Sequence, residues 1–176
     1  MRKILDILVE DVHGVLTRVL HIINRHRCNV QTISAGHPLD TDLTRIYIVL
    51  EADSLATERV IKQLGQQINI LSVTDVSGKE LIEQEIMLIK VSAKQENRES
   101  IQSIADMFEA EVLEVAGDYM LIELTGQVDK LDTFVGEMQK YCIKDMARSG
   151  SIFMLRESAS FDSQHNGFCD SAGKQI

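Results

Sequence analysis

The chain has 176 residues, of which 44% are hydrophobic, 26% charged and 5% aromatic, and its formal net charge is −9. That length suits one domain or two small ones with a real core. The acidic balance argues against nucleic acid or an anionic membrane surface as a partner, because both call for a basic footprint.

Residues 3–9, "KILDILV", alternate apolar and polar and predict a strand. They do not read as a signal peptide. Helix-period apolar residues then predict an amphipathic helix over 14–26. Residues 29–36 and 43–51 are β-branched or alternating and predict strands. Between them "HPLDTD" holds the only proline and reads as a hairpin loop. A second helix is expected over 54–67, with Ser54 as N-cap and Val60, Ile61, Leu64 and Ile68 inward. A strand over 69–77 completes the order β-α-β-β-α-β.

The polar stretch 79–84 reads as a linker, and the same order then recurs. Residues 86–93 predict a strand and 97–110 a helix. Residues 111–117 and 118–126 predict strands joined at a tight Gly117–Asp118 turn. A helix over 128–141 and a strand over 143–150 follow, then a short apolar "SIFML". The halves share a pattern and scarcely any residues. Each matches a split β-α-β, ferredoxin-like unit, so the fold class is α+β with two tandem domains, 1–78 and 85–157. A sheet with helices on one face leaves the other open, to be covered by a second domain or a second chain. Residues 158–176, rich in Ser, Gly, Asn and Gln, read as a mobile tail.

Cys28, Cys142 and Cys169 are far apart and lack zinc or redox spacing. A reducing cytoplasm is the natural compartment. His21 and His26 are five apart and do not stack on one helical face as i, i+4 ligands would, so no metal site is expected. No nucleophile-elbow or Ser-x-x-Lys pattern is present, and no residue set joins an acid, a base and a nucleophile. No catalytic residues are assigned. RNA-recognition modules on this fold need aromatic residues on central strands, and 3–9 and 86–93 have none.

The feature that points to a ligand is "VEDVHGVL", residues 9–16. Glycine at a strand-to-helix turn lets the backbone bend and another group approach. The helix start offers unsatisfied N–H groups and a positive dipole end, a seat for a carboxylate or phosphate. Gly14 shapes the turn on either reading. Asn29, opening the next strand, offers a donor and an acceptor, or it is simply a turn residue.

Several segments in order, "ILVEDVHGVLTRV", "RCNVQTISAG", "LTRIYIVLEAD", "KQLGQQINILSVTDVS", "EQEIMLIKV", "DKLDTF" and "ARSGSIFMLRE", make residues 2–157 similar to the small, regulatory subunits of acetolactate synthase (acetohydroxyacid synthase). The resemblance implies that the N-terminal unit is an ACT domain, an amino-acid sensor, and that two copies form a homodimer side by side. It implies activation of a separate catalytic subunit and feedback inhibition by valine in branched-chain amino-acid biosynthesis. Thiamine diphosphate, FAD and magnesium would belong to that catalytic subunit and none to this chain. The rival reading is an ACT-type sensor for another ligand and another enzyme.

By the same resemblance the effector site comprises Asp11, Gly14, Val15, Leu16 and Asn29. The family turn reads Asn-x-x-Gly, so Asp11 departs from it. An ionised Asp accepts hydrogen bonds and cannot donate them. Losing one buried polar pairing costs about 1–3 kcal/mol, roughly 5- to 150-fold in affinity. Arg27–Cys28 also departs, where the family tends to Gly and an aromatic. An arginine forced into the left-handed conformation is strained by roughly 1 kcal/mol, unless the helix exits differently.

Overall fold

The computed structural model describes residues 1–38 and 42–156. The first unit runs β1 (Arg2–Glu10), α1 (Val15–Arg25), β2 (Asn29–Gly36), β3 (Leu43–Glu51), α2 (Ser54–Leu64) and β4 (Ile70–Asp75). Its strands form an antiparallel sheet in the order β2-β3-β1-β4. Period-2 alternation sends Leu5, Ile7 and Val9 of β1 to the same face as Ile46, Ile48 and Leu50 of β3. There they meet Val15, Val19, Ile22 and Ile23 of α1 and Val60 and Leu64 of α2 in one core.

The second unit runs β5 (Leu81–Ser92), α3 (Arg98–Met107), β6 (Glu111–Ala116), β7 (Tyr119–Gly126), α4 (Val128–Met138) and β8 (Ile143–Arg148), followed by β9 (Ile152–Leu155). The sheet order is β6-β7-β5-β8, and β9 pairs with the first residues of β5. Met87, Ile89 and Val91 pack with Ile122, Leu124, Ile101 and Phe134. The fold is therefore α+β, two antiparallel sheets each with two helices on one face.

Several boundaries differ from the sequence expectation for local reasons. Asp53, not Ser54, caps α2: its carboxylate accepts from the Ala56 amide at 2.7 Å. That helix stops at Leu64, which leaves Ile68 outside it and 92% exposed rather than inward. Residues 81–84, read as linker, are already strand, because "SIFML" supplies β9 as their partner. The expected tail, and Leu39, Asp40 and Thr41 of the hairpin loop, lie outside the described residues.

That last strand also covers the first sheet. Phe153 packs with Ile4, Val49 and Val76, beside Tyr47 and Leu81. Its ring meets Tyr47 edge-on, with centroids 5.7 Å apart. At the same junction the Gly150 backbone rests against β2, where an added Cβ would come within 3.2 Å of the Ile33 carbonyl. Arg148 is braced beside it by Glu85, buried to 3% exposure, and by Asp132.

Candidate functional site

The strand-to-helix turn of the first unit is built as its sequence suggests. Gly14 takes the left-handed conformation, φ 80°, ψ 3°, as the cap of α1. Among the described residues no side chain caps the helix there. Among the described residues a Cβ added to Gly14 would meet nothing within 4 Å, so the glycine is needed for its φ and not for want of space. Leu16 lies in the first turn, where a helix offers no acceptor four residues back and its amide faces outward. The Val15 amide is engaged by the Val12 carbonyl at 3.2 Å, and the Val15 side chain is buried in the core.

Asp11 stands at the rim. Its amide donates to the Asp42 carbonyl, and its half-exposed carboxylate lies 3.9 Å from His37 Nε2. His37 is in turn placed by a 3.0 Å contact between Nδ1 and the Leu43 carbonyl. On the other side of the turn, Asn69 Nδ2 donates to Glu10 at 2.7 Å while Asn69 Oδ1 accepts from Arg18 at 2.9 Å. The Glu10 amide also donates to the Asn69 carbonyl. This Glu10–Asn69–Arg18 chain ties β1, α1 and the start of β4 together around the turn. None of its members was singled out from sequence, because their partners are up to 59 residues apart.

Asn29 is not part of this cluster within one chain. It is exposed and opposite Glu51 on β3, and Glu51 is opposite Arg2, the first residue of β1. Gly14 follows the far end of β1. Eight residues at about 3.4 Å each put the two ends of the sheet about 27 Å apart. Asp11, Gly14, Val15 and Leu16 thus share one end of the sheet and Asn29 marks the other.

The exit of α1 explains how Asn29 begins β2. Arg27 has φ 56°. The Cys28 amide reaches back to the Ile23 carbonyl and the Arg27 amide to Asn24, a Schellman closure with arginine where glycine is usual. Of the two sequence alternatives, the strained one is adopted. Cys28 is buried, and burial first, then the charge of Asp53, pushes its thiol pKa up, away from reactivity.

A cavity of about 470 Å³ lies between the units, lined by Arg2, Ile33, Glu85, Arg148 and Gly150 among others. Its cations are already paired, Arg2 with Glu83 and Arg148 with Glu85 and Asp132. Among the described residues no group of three or more His, Cys, Asp or Glu is arranged to hold a metal, and no helix is long and apolar enough to cross a membrane.

Comparison with known proteins follows the two units. Residues 5–72 match the family model described as an AHAS small subunit-like ACT domain, and 84–157 match the small subunit of acetolactate synthase. The chain is 36% identical over 156 residues to a probable acetolactate synthase small subunit of Archaeoglobus fulgidus, covering 89% of this chain and 98% of that one. It is 32% identical to the acetolactate synthase small subunit of Haemophilus influenzae, covering 89% and 96%. The crystal structure of the acetolactate synthase small subunit from Thermotoga maritima shares the fold, with a TM-score of 0.82 at 24% identity over 90% of this chain and 99% of that one.

Proposed function

The chain belongs to the family of acetolactate synthase small subunits, regulatory subunits with ACT domains, and from that premise we propose that it activates a separate acetolactate synthase catalytic subunit and makes it sensitive to valine. Thiamine diphosphate, FAD and magnesium are assigned to that catalytic subunit, where they supply the carbon–carbon chemistry. The complex is assigned to the cytoplasm.

The observation that carries the effector reading is the placement of the site residues. β2 is an edge strand, and its sequence, "NVQTISAG", carries no charge. An uncharged edge is compatible with pairing to a second copy. β2 runs parallel to β1, since each is antiparallel to β3. A two-fold β2–β2 pairing reverses the partner strand. It carries Asn29 of the partner subunit to the Gly14 end of the sheet, and the 27 Å separation within one chain becomes proximity between two.

In this reading a free amino acid lies between the copies. Its carboxylate takes the open start of α1, where the helix dipole and the Leu16 amide stabilise negative charge. Its ammonium takes polar contacts from Asn29 of the partner subunit. Binding shifts the population between quaternary arrangements that the catalytic subunit distinguishes. Asp11 places a second carboxylate at this positive end and weakens the effector. Asp11→Asn is expected to tighten valine inhibition 5- to 150-fold, the equivalent of about 1–3 kcal/mol. An unchanged inhibition curve would refute that role for Asp11.

The deciding assay is acetolactate formation by the catalytic subunit of the same organism, with and without this chain and with and without valine. Activation reversed by valine is the expected result. Activation that valine leaves untouched would move the damage to Asp11 or Arg27. No activation would favour a sensor for a different enzyme.

A further inference from the structure

The second sheet has an open face like the first, and among the described residues nothing comparable to Phe153 covers it. Along β5 that face carries Ile82, Ile86 and Leu88, which are 42%, 46% and 37% exposed. On β9, Met154 lies opposite Ile82 and Ile152 opposite Gln84, and both are more than half exposed. The result is a run of five exposed apolar side chains on two paired strands. Exposed patches of this kind mark interaction surfaces.

The rim beside them is charged in an unusual way. Val112 of β6 packs into the core, so Glu111 projects to the open face. It lies directly opposite Glu123 on β7, in a row that continues through Leu88 to Ala147. Like charges directly opposite across strands are destabilising, and this row contains no cation. Among the described residues neither glutamate forms an ion pair.

We propose that this face, Ile82, Ile86, Leu88, Ile152 and Met154 with Glu111 and Glu123 at its rim, is where the catalytic subunit docks, through an apolar patch flanked by at least one Lys or Arg. The proposal rests on the reading of the chain as a regulatory subunit. A second copy is the poorer occupant on charge. Residues 79–156 carry fifteen acidic and nine basic side chains, against nine and eight in residues 1–78. Face-to-face stacking of two copies would add the partner's glutamates to an already uncompensated pair. A cation from a different protein relieves that repulsion.

The test uses the full-length chain with the catalytic subunit of the same organism. Affinity is measured by titration calorimetry, mass by light scattering and folding by circular dichroism. Ile86→Glu is expected to weaken association at least tenfold with unchanged mass and melting temperature. Should Ile86→Glu disturb the fold, the exposed Glu111→Lys serves alone: a tenfold loss and a reduced dependence of affinity on salt are expected. Association within twofold of the parent for both variants would overturn the docking site and leave the regulatory reading intact. A fall in mass for Ile86→Glu would also overturn it, by showing a second copy on the face. Failure of the parent chain to bind the catalytic subunit would overturn the regulatory reading and the docking site together.

Discussion

The two halves of the chain follow the same path, and their strand-to-helix turns differ most. In the first, Gly14 bends the backbone and leaves open space at the start of α1. In the second, the turn after β5 has no glycine and is filled from within. The Arg98 guanidinium donates to the Ala93 carbonyl at 3.2 Å and also to the Gly117 carbonyl. The same fold thus leaves room for an anion at the start of α1 and, at the equivalent turn of the second unit, sets a guanidinium against two carbonyls. The edges differ as well: β2 is uncharged, while β6, its counterpart, bears Glu111 and Glu114. The comparison teaches that side-chain choice at equivalent positions, and not a change of fold, sets the two turns and the two edges apart, as the proposed division between sensing and docking requires.

The largest test of this division removes the covering ring. Phe153→Ala is expected to cost about 3–5 kcal/mol, read by urea denaturation, because it uncovers the open face of the first sheet. A loss below 1 kcal/mol would mean the first sheet does not need that cover. Next comes the turn. Gly14→Ala forces a left-handed alanine at about 1–2 kcal/mol and is expected to weaken valine binding in calorimetry. Arg98→Ala should leave valine binding unchanged, and an effect as large as that of Gly14→Ala would erase the distinction between the turns.

Smaller effects sharpen a feature the halves share. Both first helices end on a non-glycine residue with φ 56°, Arg27 and Glu109, and the Ala110 amide returns to the Ala105 carbonyl as Cys28 does to Ile23. Arg27→Gly and Glu109→Gly are each expected to add about 1 kcal/mol, a rise of a few degrees in melting temperature. The smallest concerns pH. Burial pushes the Asp75 carboxyl up, but hydrogen bonds from Ser77 and Lys3 outweigh it and hold its pKa below the ordinary value. A depressed folded pKa gives stability that is complete above the unfolded value, about 3.9, and is lost as pH falls through the folded one. Asp75→Asn should therefore be less stable than the parent at pH 7, by about 1 kcal/mol for a part-buried pair still open to solvent, and the gap should close below pH 4. A gap that persists at pH 2 would assign the effect to packing.

What the sequence disclosed is local. Alternation in "KILDILV" and the glycine before an apolar-periodic run act within a few residues, and the positive φ at Gly14 is one that glycine permits. At Arg27 the sequence left a strained turn or a different helix exit open, and the structure adopts the first. Asp53 and Ser54 are adjacent and both are good caps, so only the geometry decides between them. The Arg98 plug, the Arg18–Asn69–Glu10 chain and the pairing of β9 with β5 join residues 19 to about 70 apart. No periodicity marks such contacts. The separation of Asn29 from Gly14 also needed strand order, which a run of strands does not fix.

The pairing of β9 with β5 sets an order of events in synthesis. Ile4, Val49 and Val76 are made early, and the ring that closes over them belongs to residue 153. At roughly 5–20 residues per second, the first sheet emerges about 4–15 seconds before its cover exists. Throughout that interval the nascent domain is folded on its helix side and greasy on the other. The last few residues of the described chain therefore act as the closing stitch of the first domain, and a chain cut short before residue 153 leaves that domain with one face still bare.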